Sequence, residues 1–326
     1  MLCIQDKNTD PYFNLAAEEY MLKNFTEDIF MLWRNANAII VGKHQNTLAE
    51  INLDYVREKK IKVVRRISGG GAVFHDLGNL NFTFIRTGDE GHLVDFKKFT
   101  LPIIEVLQKM GVNAKFEGRN DITIEGKKFS GNAEHVWKNR TLHHGTILYS
   151  SVISDLTKAL KVNPLKFKDK AVKSVRSRVT NISEHLEEKM DVTEFSDRIM
   201  RHIMEKYADS RIYELTSGDV EKIEKIRDEK FSLWEWNFGY SPKYNFEKLV
   251  KTSGGTIEFH IDVEKGIMKD VKIYGDFFHK YDIGTIETAL SGVKHDPEEI
   301  RNTLAQFRFN DYFKHMTVDE FISGMF

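Results

Sequence analysis

Residues 65–85 read RRISGGGAVFHDLGNLNFTFI, and the fold turns on what this stretch does. Two arginines precede three consecutive glycines; a histidine–aspartate pair and the strand-like NFTFI follow. Residues 62–67 carry the β-branched run of a strand, and Phe82 and Phe84 alternate with Thr83 in the next. The glycines therefore join two sheet elements. Backbone without Cβ atoms approaches a ligand closely and offers several N–H donors to an anion. Arg65 and Arg66 stand at the root of the loop, where a guanidinium fork matches a carboxylate or phosphate. The glycines do not form a G-x-G-x-x-G opening a helix, and no Gly-Lys-Ser/Thr follows as in a P-loop. The residues alone leave two readings: an anion or nucleotide site of another kind, or a loose turn.

Working outward, IFMLW (29–33), AIIVG (38–42), KVVRRI (62–67) and NFTFI (81–85) are short β-branched or aromatic runs. Most leave no room for crossover helices, which favours mixed or antiparallel pairing over a doubly wound parallel sheet. Helices are expected over 13–25, 95–110, 154–160 and 191–208, from apolar spacing. Hairpins are expected to turn at Glu125-Gly126-Lys127 and near Lys138-Asn139. An aromatic stretch with Gly239 and Pro242, residues 231–246, reads as a connector. Beyond it residues 256–277 alternate around Glu264-Lys265-Gly266, Asp296-Pro297 opens a helix, and Thr317–Glu320 forms a capping box. The expected architecture is α+β, with mixed, largely antiparallel sheets in a domain over 1–244 and a small α+β domain over 249–326.

Composition narrows the function classes. A net charge of −1 over 326 residues provides no field for nucleic acid or an anionic membrane. Cys3 is the only cysteine, which excludes an internal disulfide and a thiolate zinc cluster. The first residues lack a secretory pattern, and no run approaches the roughly 18 apolar residues of a membrane span. A cytoplasmic, monomeric protein is expected, with neither nucleic acid nor membrane as partner.

A second constellation lies in EGRNDITIEGKKFSGNAEHVW, residues 117–137. Arg119, Asn120 and Asp121 precede one strand; Lys127, Lys128, Ser130, Gly131 and Asn132 lie on the next. Successive residues point to opposite faces, so only one of the two lysines enters a shared pocket. There its charge would offset the negative charge that builds at an acyl-phosphate transition state; on the surface it would simply be solvated.

Taken together, RRISGGGAVFHDLGNLNFTF, GRND, KFSGNA, HHGT and KSVRSRVTNI occur in the order and approximate spacing of lipoate–protein ligases. The chain resembles that family over most of its first 240 residues. WEWNFGYSPKYNF and the hairpin module after it resemble the accessory C-terminal domain of the long, two-domain members. The resemblance implies the fold shared by biotin and lipoate protein ligases, and it assigns residues. Arg65, Ser68, Gly69, Gly70 and Gly71 would lie over lipoate, with His144, Gly145 and, more loosely, Thr146 lining the acyl pocket. Arg66, Gly71, Ala72, Val73, Phe74, Asn79, Asn120 and Asp121 would hold ATP, with Asp121 a magnesium ligand. Lys128, not Lys127, would contact both the α-phosphate and the acyl carbonyl oxygen, and Lys173–Thr180 would close over the adenylate.

The implied reaction takes lipoate, ATP and Mg2+ through lipoyl-AMP, releases pyrophosphate and AMP, and forms an amide with a lysine of a lipoyl domain. The implied acceptors are 2-oxoacid dehydrogenase acyltransferase subunits and the glycine-cleavage carrier protein, supplied by salvage of exogenous lipoate. Three alternatives compete. A lipoyl or octanoyl transferase would use a pre-activated acyl group, but Cys3 is poorly placed as its nucleophile. A non-catalytic lipoate- or nucleotide-binding module would tolerate loss of Lys128. A zinc hydrolase built on His75, His135, His143 and His144 lacks any paired ligand spacing.

Overall fold

The computed structural model describes residues 1–45, 47–88, 95–160, 179–238, 246–264, 267–295 and 297–325. Its strands, in chain order, are β1 (Leu2–Gln5), β2 (Ile29–Trp33), β3 (Ala38–Val41), β4 (Lys62–Arg65), β5 (Val73–His75), β6 (Asn79–Thr87) and β7 (Ala114–Glu117). The remainder are β8 (Asp121–Ile124), β9 (Lys127–Trp137), β10 (Arg140–Leu148), β11 (Arg211–Ile212), β12 (Phe246–Thr252), β13 (Gly255–Glu264) and β14 (Ile267–Gly275). The large sheet runs β11-β1-β2-β6-β10-β9-β8-β7, parallel from β11 to β2 and antiparallel beyond. A second sheet, β4-β3-β5, is mixed, and a third, β12-β13-β14, is antiparallel. The fold is the expected α+β with mixed, largely antiparallel sheets.

β6 shows how the sequence builds the layers. Leu80, Phe82 and Phe84 point to one face and pack with Phe30, Phe99, Ile103, Phe195 and Ile199. Helices Phe96–Lys109 and Val192–Lys206 supply that cover. Ile85 points the other way, joining Trp33, Ile40, Val64 and the Ala16–Ala17 face of helix Pro11–Asn24. On that same second face Asn79, Asn81 and Thr83 are 0%, 1% and 0% exposed. Three polar side chains buried between two sheets mark where the site lies.

Local chemistry sets the boundaries. Pro11 occupies the first helical position and the Asp10 side chain accepts from Tyr12 N, so this helix begins two residues before its apolar spacing does. Helix Phe96–Lys109 is capped by Asp95, and Val192–Lys206 by the reciprocal Asp191–Glu194 box. The β8–β9 hairpin turns at Glu125 and Gly126, with φ of 50° and 74°, the left-handed pair of a two-residue turn. Lys138, φ 54°, turns β9 into β10. Helix Ile153–Ala159 also forms. Spacing alone does not announce β1 or helix Ser217–Ile226.

The C-terminal core cluster draws on residues 250–325 alone, with helices Gly284–Leu290, Pro297–Leu304 and Val318–Gly324 against the third sheet. The expected Thr317–Glu320 capping box is present. The positions Gly239, Pro242, Lys265, Gly266 and Asp296 lie outside the described residues, although Glu264 and Ile267 pair across the expected turn. Cys3 is buried in the large-sheet core. No helix among the described residues is long and apolar enough to cross a membrane.

Candidate active site

Two cavities meet between the sheets. The outer, about 1050 Å³, is lined by Ala72, Val73, Phe74, Asn79, Asp121 and Lys128. The inner, about 290 Å³, is lined by Arg66, Gly70, Gly71, Asn120, His144 and Gly145, with apolar Leu15, Trp33 and Ile40. Ala72, Val73, Asp121, Lys128, Gly131 and Thr146 belong to both and define the junction. Lys128 Nζ stands 2.7 Å from Asp121 Oδ1, the side chains 40% and 39% exposed. Lys127 is exposed and lines neither cavity, as strand alternation requires. A Cβ on Gly131 would come 2.9 Å from Lys128 Nζ, so the bare glycine leaves room for the ammonium across the strand. Val179 bridges to Lys128 and Thr180 N donates to Lys128 O at 3.0 Å; residues 173–178 of the expected closing loop lie outside the described residues.

The two arginines at the loop root divide their work. Arg65 is fully buried and lines neither cavity. Its Nη1 donates to the carbonyls of Gly42, Lys43 and Gln45 at 3.0, 3.0 and 2.6 Å, its Nη2 to Thr47 Oγ1 and its Nε to Trp236 O. These bonds staple Gly42–Gln45 and Thr47 to Trp236 and Asn237. Arg66 donates to the carbonyls of Ile40, Gly69 and Gly71 and to Ser68 Oγ, drawing the loop around its own guanidinium. Burial lowers its pKa to about 10, so it stays charged at neutral pH.

Glycine is required where the loop is approached. A Cβ on Gly42 would lie 1.9 Å from Gly70 O, and one on Gly69 would lie 2.5 Å from Phe277 O. Gly70 itself sits at φ +91°. Gly69 thus packs beneath the C-terminal domain and, with Ser68, lines neither cavity.

Buried polar groups finish both cavities. His144 Nε2 lies 2.6 Å from Ser68 Oγ and its Nδ1 2.9 Å from Glu18 Oε1. Thr83 Oγ1 donates to the same carboxylate at 2.6 Å and receives Trp33 Nε1–H at 2.9 Å. Ser68 therefore contributes by orienting His144. In the outer cavity Asn79 Oδ1 and Thr123 Oγ1 are buried without partners, placed to meet a polar ligand. Asn120 Nδ2 donates to Asn132 O at 2.6 Å, and Asn132 Nδ2 returns to Asn120 O at 3.0 Å, which locks the Asn-Asp turn onto β9.

The C-terminal domain completes the wall. Asp276 lines both cavities, and Lys251, Ser253 and Thr256 line the outer one. Arg119 ties the domains, donating to the carbonyls of Gly254 and Asp276 with its guanidinium 4.7 Å over Phe278. Asp276 carries no sequence signal, because nothing in its surroundings announces a distant partner. Among the described residues no three metal-ligating side chains cluster. Asp121 and Asp276 as two carboxylates on one cavity nevertheless suit a magnesium ion, which takes one or two carboxylates beside substrate phosphates. His75, weighed in the sequence only as a zinc ligand, and Asn81, not singled out there, line the inner cavity.

The arrangement resembles known proteins throughout. The lipoyl protein ligase A/B catalytic domain family matches residues 10–204, and the bacterial lipoate protein ligase C-terminus family matches residues 241–325. The chain is 46% identical to lipoate–protein ligase 1 of Staphylococcus aureus over 319 residues, covering 97% of each chain. It is 43% identical to the lipoate-protein ligase LplJ of Bacillus subtilis over 327 residues, covering 99% of each. Among solved structures, LipL1 of P. falciparum in complex with lipoate superposes with a TM-score of 0.82 at 27% identity, covering 99% of this chain and 98% of that one. A lipoate-protein ligase A bound with ATP gives a TM-score of 0.63 at 26% identity, over 73% of this chain and 97% of that one.

Proposed function

The chain belongs to the lipoate–protein ligase family, and from that premise we propose that it activates lipoate as lipoyl-AMP and transfers the acyl group to a lysine of a lipoyl domain. The observation that carries this reading is the meeting at Lys128 of a small inner cavity, walled in part by Leu15, Trp33 and Ile40, with a larger outer one lined by Asn79, Asp121 and Asp276. The acyl chain fits the first, where each buried methylene contributes about 0.8 kcal/mol. ATP fits the second, along the Gly71–Phe74 backbone, Asn79 and the Asn120-Asp121 turn. Relatives solved with lipoate and with ATP support binding of both ligands. Residues 1–244 act as the catalytic unit and 249–326 as the accessory domain.

In the first step a lipoate carboxylate oxygen attacks the α-phosphorus and pyrophosphate leaves. The Lys128 ammonium, free to turn from Asp121, offsets charge on the α-phosphate oxygens. Asp121 and Asp276 would hold magnesium, which screens the phosphates when bound. In the second step an acceptor amine attacks the acyl carbon, the C–O bond to phosphate breaks, and AMP leaves. Only about one such amine in 2,500 is neutral at pH 7, a handicap of roughly 4.6 kcal/mol that positioning must offset. The acceptors would be lipoyl domains of 2-oxoacid dehydrogenase acyltransferase subunits and the glycine-cleavage carrier protein, charged with salvaged lipoate.

Lipoate-dependent exchange of labelled pyrophosphate into ATP tests the activation step. Wild type is expected to exchange, and Lys128→Ala to lose at least about 100-fold in kcat, on the order of one transition-state charge contact. A Lys128→Ala enzyme that exchanges normally would remove that lysine from the mechanism.

A further inference from the structure

The inner cavity holds two buried donors without partners. His75 is 3% exposed and Asn81 1% exposed. His75 Nε2 and Asn81 Nδ2 both lack any hydrogen-bond partner, and both residues line the cavity. Burying a polar N–H unpaired costs about 1–3 kcal/mol, so two in one cavity call for an acceptor that arrives with the ligand.

Their neighbours fix which atoms are free. Asn14 Nδ2 donates to Asn35 Oδ1 at 3.0 Å, which turns Asn35 Nδ2 toward His75 Nδ1 at 3.1 Å. His75 Nδ1 is then an acceptor, and the imidazole proton sits on Nε2. Burial, aided by nearby Arg66, holds the His75 pKa down at about 3, so the ring stays neutral. Asn79 Nδ2 donates to Asn81 Oδ1 at 2.8 Å, which leaves the Asn81 amide N–H₂ outward.

The level of Asn81 in the fold fixes what it meets, and His75 lies two residues along β5 from Val73, which lines both cavities. Asn81 stands opposite Thr146 across the β6–β10 ladder, and cross-strand partners share a face. Thr146 belongs to both cavities and receives Gly131 N–H at 3.3 Å. One step outward, Asn79 lines the outer cavity; one step inward, Thr83 joins the Glu18–His144 network. Asn81 thus lies at the layer where acyl group and nucleotide join.

We propose that His75 Nε2–H and Asn81 Nδ2–H form a donor pair for the acyl oxygen that becomes the carbonyl, beside Lys128. This deepens the ligase reading and rests on it. During activation the pair holds one carboxylate oxygen while the other attacks phosphorus. During transfer, amine attack pushes an electron pair onto the held oxygen, which returns it as the bond to AMP breaks and the amine proton leaves. Neutral donors strengthen as that charge develops, so in the transfer step they favour the transition state over the bound acyl-AMP.

Single-turnover transfer from supplied lipoyl-AMP to an apo-lipoyl domain tests the pair, using the full chain. His75→Phe and Asn81→Leu are each expected to lose about 10² in rate with ATP affinity within about twofold, and His75→Gln, which keeps an N–H, to recover part of it. Asn81→Asp, isosteric but accepting, is expected to be at least as slow as Asn81→Leu and covers the case where the latter misfolds. Wild-type rates in His75→Phe and Asn81→Asp would overturn the pair, as would losses confined to the KM for lipoate with no rescue by His75→Gln. Wild type that forms no lipoyl-AMP would instead sink the ligase reading, and the pair with it.

Discussion

Lys128 reaches the junction because Gly131 has no side chain. The clash a methyl would make there is with the tip of a flexible ammonium, not with backbone. Gly131→Ala is therefore expected to melt within about 2 °C of wild type while pyrophosphate exchange falls about tenfold or more, since a small displacement of a positioned group is costly to rate. Unchanged exchange would show that Lys128 acts from another position. Single residues are partly legible in the sequence. Lys128 follows from alternation along β9 together with the family pattern, and it lies at the junction. Arg65 and Arg66 look alike in sequence, yet only tertiary carbonyls decide that one staples and the other lines the cavity. Asn81 carries a weaker signal, a polar residue alternating with phenylalanines in a strand buried on both faces, and His75 ends the short β5 after Phe74.

Elements are legible where period or turn chemistry is local. The helices over 96–109 and 192–206 and the hairpins at Glu125–Gly126 and Lys138 follow from spacing, caps and turns. β1 is not, because a four-residue strand gains its identity from parallel partners at Ile29–Leu32 and Arg211–Ile212, far along the chain. Gly42–Gln45 and Thr47 make the same point, for a local turn between Gly42 and Gln45 is held in place by the distant Arg65. Arg65→Met keeps the bulk but leaves the carbonyls of Lys43 and Gln45 without that donor, while Gly42 O still receives Gln45 N–H at 3.1 Å. Each acceptor so exposed costs roughly 1–3 kcal/mol. A clear drop in the denaturation midpoint is expected; a midpoint equal to wild type would show that Gly42–Gln45 and Thr47 stand without the staple.

The whole molecule closes the site with its second domain. At that junction His44 Nε2 meets His279 Nε2 at 2.7 Å, and His279 Nδ1–H faces Tyr281 O, so His44 donates and His279 accepts. Gly275 N also donates to His44 O, and Lys43 pairs with Asp282 at 3.5 Å. Both rings are buried; burial and then Lys43 hold His279 near pKa 3, and burial with His279 depresses His44. Lys43, Arg65 and His135 add further positive influence on His44. The unfolded rings titrate near 6.5, so below that pH the unfolded chain binds more protons and stability falls. At pH 5.5 each ring costs about 1.4 kcal/mol relative to neutral pH. Acidification from about pH 7.5 to about 5.5 should lower the melting temperature, and His279→Leu should flatten that slope; an equal slope in the variant would place the acid response elsewhere. His75, His135, His143, His202 and His315, also depressed by burial, add to the response.

Ligase activity is read from the intact mass of an apo-lipoyl domain incubated with the chain, lipoate, ATP and magnesium. The domain is expected to gain one lipoyl group at its acceptor lysine, and to gain nothing when ATP or lipoate is omitted. Supplied lipoyl-AMP should restore the gain without ATP. An acceptor left unmodified by the complete mixture, or modified from free lipoate without ATP, would contradict ATP-dependent ligation.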